Sequence, residues 1–206
     1  MIEDKKVSKK VGIMGGTFNP IHYGHLIAAQ WAKENFQLDK VVFIPAGSPP
    51  HKQEKEVLPV KHRYLMTLLA TIDEPDFEVS TIEIDRQGPS YTIDTIKQIH
   101  TYSKSAQIFF IMGADSILEL HTWRKYEELI KSCYFIAATR EGYDTKKLYE
   151  RIEELDRKFG KRIFHMEIRP VGISSTELRN RLKQGKTVKY LIPSAVEKYI
   201  KKNNLY

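Results

Sequence analysis

Apolar positions along the chain fall into short continuous runs that alternate with stretches of helical spacing. Residues 7–14 read as a buried strand that breaks at Gly15-Gly16. Residues 23–36 follow with helical intervals between Leu26, Ile27, Ala29, Trp31 and Ala32. A second apolar strand is predicted over 40–45, and then a loop over 46–58, rich in proline and charge and of a length that usually carries function. The pattern next predicts a helix over 60–72, an alternating strand over 77–84, a helix over 90–102 capped by Ser90 or Thr92, and a third buried strand over 107–112. Short helices over 114–120 and 126–131, a strand over 134–138 and an amphipathic helix over 143–159 come after it. A strand over 162–168 and helices over 174–183 and 194–202 complete the series.

This alternation predicts an α/β fold, Rossmann-like and doubly wound, with a mainly parallel sheet flanked by helices on both faces. In such sheets ligands bind beyond the C-terminal ends of the strands. The loops after Met14, Pro45, Met112 and Ile168 are therefore expected to converge on one cleft.

Composition narrows the setting. At 206 residues with 41% hydrophobic content the chain suits one substantial domain, and no run approaches the roughly 18 apolar residues of a membrane span. The opening MIEDKKVSKK leads into no apolar segment long enough for a secretory signal, and Cys133 is the only cysteine. Both features fit a cytoplasmic protein with no membrane partner. The net charge of +7 is uneven, with +2 in residues 1–10, −4 in 11–144 and +9 in 145–206. A basic final third attracts nucleic acid, a triphosphate or a nucleotide monophosphate alike, and solubility alone accounts for most surface lysines.

Five clusters carry candidate chemistry. In GGTFNPIHYGH (15–25), Gly15 and Gly16 let backbone approach a phosphate, and Thr17 offers a hydroxyl and an amide. The following helix start directs free N–H groups at an anion, while His22 and His25, three apart, can meet one bound group. In SPPHK (48–52), prolines hold out His51 and Lys52, although an ordinary solvated loop reads the same way. In PSYTIDTI (89–96), Ser90 and Thr92 read as helix caps. In MGADSILELHTW (112–123), Gly113 and Asp115 follow a strand, and Trp123 is either core or a stacking surface for a flat ring. In GISSTELR (172–179), Ser174, Ser175 and Thr176 form at least a good N-cap, and with Arg179 a second anion grip. Gly185-Lys186-Thr187 is no Walker A loop, since Asn180 stands where its leading glycine is needed, and the sequence has neither HExxH nor a Cys/His zinc pattern. Cys133, between a helix and a buried strand, reads as structural.

The segment His22-Tyr23-Gly24-His25 matches the His-x-Gly-His signature of the nucleotidyltransferase superfamily. GGTFNPIHYGH, SPPHK, PSYTIDTI, MGADSILELHTW and ISSTELR together resemble bacterial nicotinate-nucleotide adenylyltransferases, with Asn19 where that family often has Asp. The resemblance runs from Val11 to the C-terminal helices and implies a single domain over 1–206: about 1–140 the core sheet with both substrate loops, about 170–206 a helical part carrying ISSTELR. It implies transfer of AMP from ATP to nicotinate mononucleotide, with Mg²⁺ accompanying ATP and no protein metal site. His22, His25 and Arg179 would be catalytic. Gly15, Gly16, Thr17, Phe18, Gly113, Asp115, Ser174, Ser175 and Thr176 would bind ATP, and His51, Lys52, Thr92 and Trp123 the mononucleotide. Asp115 has two readings, adenosine ribose or metal-bound phosphates. The alternatives are another acceptor within the superfamily, nicotinamide mononucleotide or phosphopantetheine, a cytidylyl transfer, or a non-catalytic nucleotide- or RNA-binding module. A homo-oligomer is compatible with all of them; a nucleic-acid partner is not expected.

Overall fold

A computed structural model describes residues 9–49, 57–140, 142–168 and 172–206. Its strands are β1 (Lys10–Gly16), β2 (Lys40–Pro45), β3 (Phe77–Val79), β4 (Gln107–Gly113), β5 (Tyr134–Arg140) and β6 (Ile163–Ile168). They form one six-stranded sheet in the order β3-β2-β1-β4-β5-β6, and every pairing is parallel. The helices are α1 (Tyr23–Phe36), α2 (Val60–Thr71), α3 (Thr92–Tyr102), α4 (Ala114–Leu118), α5 (Tyr126–Ser132), α6 (Lys146–Phe159), α7 (Ser175–Lys183) and α8 (Ser194–Lys202).

Strand residues alternate between two cores, one on each face of the sheet. Val11, Ile13, Phe110 and Phe135 pack with Ile93 and Ile96 of α3, Leu129 and Ile130 of α5 and Leu148 of α6. Met14, Phe43, Phe109 and Ile136 face the other way, onto Ala29 and Ala32 of α1, Met66 of α2, Leu178 of α7 and Val196 and Ile200 of α8. Burial on both faces is why these strands read as continuous apolar runs rather than alternating ones. Cutting fully buried Phe135 back to Ala would cost about 3–5 kcal/mol.

Several boundaries differ from the sequence reading. The first strand does not break at the glycines: Gly15 and Gly16 lie in register with Ile44 and Pro45 of β2, so the neighbouring strand overrides their local freedom. The strand expected over 77–84 stops at Val79. There the chain turns through hydrogen bonds from the Ile84 and Asp85 amides to the Thr81 carbonyl at 2.7 and 2.9 Å. The strand expected over 162–168 forms as Ile163–Ile168 and pairs with β5 along its whole length, so the sheet continues beyond the approximate 1–140 given for its core.

Candidate active site

A cleft of about 680 Å³ opens at the C-terminal edge of the sheet, and the loops after β1, β2, β4 and β6 all contribute to its wall. This is the place the parallel topology dictates, beside the point where connections diverge to opposite faces. Gly15, Gly16 and Thr17 line one side, Ser174 and Ser175 another, and Gly113 a third. Two helix starts from opposite ends of the chain thus border a single space.

The first is α1, capped by a pair of histidines. His22 is buried at the N-cap with extended backbone, and its N–H donates to Nδ1 of His25 at 3.2 Å. Accepting that bond leaves the hydrogen of a neutral His25 ring on Nε2. The two rings lie nearly face to face, with centroids 3.8 Å apart and planes 31° apart, and both line the cleft. A side chain at position 24 would place its Cβ 2.9 Å from Nδ1 of His22, so glycine between the histidines preserves their stacking. Phe18 has a different place from the one its neighbours suggest. Its ring is 2% exposed, packed edge-on to His25 at 5.1 Å, and only its backbone can face a ligand.

The second is α7. The Ser174 hydroxyl accepts from the Glu177 amide at 3.1 Å, a true side-chain cap. The Ser175 hydroxyl donates to the Pro20 carbonyl at 2.9 Å. Arg179 donates through Nη1 to the Asn19 carbonyl at 3.0 Å and through Nη2 to the Thr176 hydroxyl at 3.2 Å. The C-terminal grip is therefore fastened directly onto the loop that leads into α1. Thr176 and Arg179 stand behind the cleft wall in this arrangement rather than on it.

At the other end of the cleft, Thr92 begins α3 and Trp123 follows α4, half-buried and edge-on to Phe110 with ring centroids 6.1 Å apart. Asp115 is exposed and stands outside the cleft lining. Its carboxylate accepts from the Tyr143 hydroxyl at 2.7 Å, and that bond heads the causes pushing the phenol up to about 12, which keeps it a donor. His51 and Lys52 lie outside the described residues. Cys133 is buried, and burial raises its thiol well above the ordinary range, as expected of a structural cysteine.

Three supporting residues were not evident from sequence. Arg63 of α2 is 2% exposed, and its guanidinium donates to the carbonyls of Leu58, Thr17 and Gly47 at 2.9, 3.0 and 3.2 Å, joining the loops after β1 and β2. Burial lowers its pKa from the usual value, yet a guanidinium stays cationic. Tyr206 donates to the Asn19 side-chain carbonyl at 2.7 Å, and burial pushes its phenol up, so it remains protonated. Glu83 is 8% exposed and lines the cleft. The one available signal was the spacing of Arg63 among apolar residues of its helix, which a solvated arginine shares.

A doubly wound sheet in which β1 and the segment after β6 each deliver a helix start to one cleft is the arrangement expected of a nucleotidyltransferase. The profile of the cytidylyltransferase-like family matches residues 13–181. A protein named as a probable nicotinate-nucleotide adenylyltransferase from Thermoanaerobacter sp. (strain X514) is 51% identical over 96% of this chain and 94% of its own length. A likewise named protein from Moorella thermoacetica is 50% identical over 96% and 91%. The chain belongs to the nicotinate-nucleotide adenylyltransferase family. Its fold is that of a solved Plasmodium falciparum nicotinic acid mononucleotide adenylyltransferase complexed with NaAD, with a TM-score of 0.80 at 22% identity, covering 96% of this chain and 97% of that one. Among the described residues, no helix is long and apolar enough to cross a membrane.

Proposed function

We propose that the protein transfers AMP from ATP to nicotinate mononucleotide, giving deamido-NAD and pyrophosphate. The observation that carries this reading is the fastening of α7 onto the Asn19-Pro20 loop, which brings Gly16 and Ser175 to the same cleft and so offers two grips to one triphosphate. The names of the 51% and 50% identical relatives support the acceptor.

A nucleotide monophosphate has a second pKa of about 6 and is mostly dianionic near neutral pH, so it attacks without a general base. One of its oxygens forms a bond to the α-phosphorus of ATP while the bond to the bridging oxygen breaks, and that electron pair leaves with pyrophosphate. Catalysis is then positioning and charge stabilisation. His25 would donate through Nε2–H to an α-phosphate oxygen, His22 would stand beside it, and the amides of Gly15 to Phe18 and of the α7 start would hold the phosphates. Arg179 would hold the Asn19 carbonyl and keep its charge close to the leaving group. Gly113 and Asp115 would border the adenosine, with Thr92, Trp123, His51 and Lys52 taking the mononucleotide.

Mg²⁺ would arrive on the triphosphate and neutralise its charge. Among the described residues no group of three or more His, Cys, Asp or Glu could hold a metal ion, and a lining whose one carboxylate, Glu83, is already bonded to Thr95 suits an ion whose ligands come mainly from the substrate.

The test is incubation with ATP, Mg²⁺ and nicotinate mononucleotide, nicotinamide mononucleotide or phosphopantetheine in turn. Pyrophosphate and dinucleotide are expected with the first; release with phosphopantetheine alone, or with none, would overturn the assignment.

A further inference from the structure

Glu83 is a carboxylate in the wall of the cleft, 8% exposed, in the turn after the edge strand β3. Its Oε1 accepts from the Thr95 hydroxyl at 2.6 Å, and the Ser90 hydroxyl also hydrogen-bonds the carboxylate. Each hydroxyl passes the connection on. Thr95 accepts from Nη2 of Arg86 at 2.9 Å, and Arg86 in turn reaches Gln98 at 3.2 Å. Ser90 accepts from the Ser48 amide at 3.1 Å, and the Ser90 amide donates back to the Ser48 carbonyl at 2.8 Å. The backbone of the same residue presses on the loop after β2: a Cβ at Gly47 would overlap the Glu83 carbonyl oxygen. Four segments therefore meet around Glu83, at its side chain, at its backbone or through Ser90. They are the loop leaving β2, the turn after β3, the Ser90–Thr92 entry to α3 and the first turns of α3 itself.

A buried carboxylate is costly, and removing charge from this position would ordinarily be neutral or favourable. Its two acceptor oxygens can take donors from two directions, whereas an amide puts an NH2 donor in place of one of them. We infer that Glu83 is a positioning residue for the acceptor nucleotide, holding Ser90 to Thr92 and the Gly47-Ser48 loop in the geometry that receives it while leaving the ATP grips untouched. This rests on the proposed reading, in which the Thr92 and Trp123 end of the cleft takes the mononucleotide. The α7 side of the ATP grips is fastened by Ser175 and Arg179 to Pro20 and Asn19, bonds in which Glu83 takes no part, while Arg63 is the link that Thr17 and the Gly47 loop share.

The experiment compares wild type with Glu83→Gln, Thr95→Val and Thr95→Ser. Binding of nicotinate mononucleotide is followed by tryptophan fluorescence, which Trp123 reports from the cleft wall, together with KM for each substrate and the thermal midpoint. Losing a hydrogen bond to a charged group corresponds to about tenfold weaker binding, so Glu83→Gln and Thr95→Val should each raise the mononucleotide Kd and KM about tenfold. The ATP KM should stay within about twofold, and Thr95→Ser, which keeps the hydroxyl, should match wild type. Thr95→Val gives the answer should Glu83→Gln not fold. Unchanged mononucleotide affinity, or parallel changes in both KM values, would overturn the inference while leaving the proposed reaction standing. A wild-type protein that neither binds the mononucleotide nor releases pyrophosphate would overturn both.

Discussion

The backbone N–H of His22 points at Nδ1 of His25 across 3.2 Å, so a hydrogen bond inside the α1 cap decides which nitrogen of the second ring carries the hydrogen. The Nε2–H is left as a donor with a fixed direction, its ring held between the rings of His22 and Phe18. Such a donor contributes most when charge builds on the α-phosphate and little while ATP simply binds.

His25→Ala is accordingly expected to lower kcat about 10²–10³-fold with an ATP KM within about threefold of wild type. Steady-state kinetics at saturating mononucleotide decide it. Equal losses in kcat and ATP affinity would mean that the ring binds ground-state phosphate instead.

Arg179 is fixed at two points, the Asn19 carbonyl and the Thr176 hydroxyl. A lysine keeps the charge but is a point donor that cannot span both. Arg179→Lys should lower kcat/KM for ATP by about tenfold or more, and urea unfolding should show only a small stability change. Wild-type kinetics in this variant would show that charge alone suffices.

Arg63 satisfies three backbone carbonyls from a buried position. Arg63→Met keeps most of the stem and orphans all three acceptors. At about 1–3 kcal/mol for each buried unpaired group, the folded state should lose about 3 kcal/mol or more, read as a lower urea midpoint. A loss near zero would show that water replaces the guanidinium without cost.

For Glu83, burial is the leading cause that raises its pKa, with the Thr95 and Ser90 hydroxyls and Arg86 pulling the other way. The folded protein therefore holds a proton on this group at pH values where the unfolded chain has lost it. Its contribution to stability is fully present below the ordinary carboxylate pKa and is lost as pH rises through the raised one. Because glutamine does not titrate, the thermal midpoint of Glu83→Gln minus that of wild type should become more positive as pH rises through that window and then level off. Paired melting curves from pH 4 to pH 8 measure it, and a difference that is flat or falls with pH would contradict the direction.

Much of this was legible in the chain. Helix α1, strand β2 and helix α8 fall where apolar spacing alone put them, because each buries one strongly patterned segment against a sheet face. Convergence of four loops followed from parallel topology. Pairwise fastening was harder to read. Nothing local marks Ser175 as the partner of Pro20 or Tyr206 as the partner of Asn19, since those contacts join residues more than 150 positions apart. Arg63 and Glu83 look like ordinary surface charges in sequence. Only the packed loops around them, which local patterning does not encode, reveal that both are buried. The placing of Phe18 was hidden for the same reason: its neighbours face the cleft, and its own ring turns into the core behind His25.

The attachment of α7 to the Asn19-Pro20 loop also bears on how the protein comes into being. A growing chain that has emerged as far as β5 already owns the glycine loop and both histidines, but it lacks α7 and the bonds that Arg179 and Tyr206 give to Asn19. On the proposed reading the cleft is complete only once the final helices have closed onto a loop made near the start, so a chain truncated before α7 should be inactive.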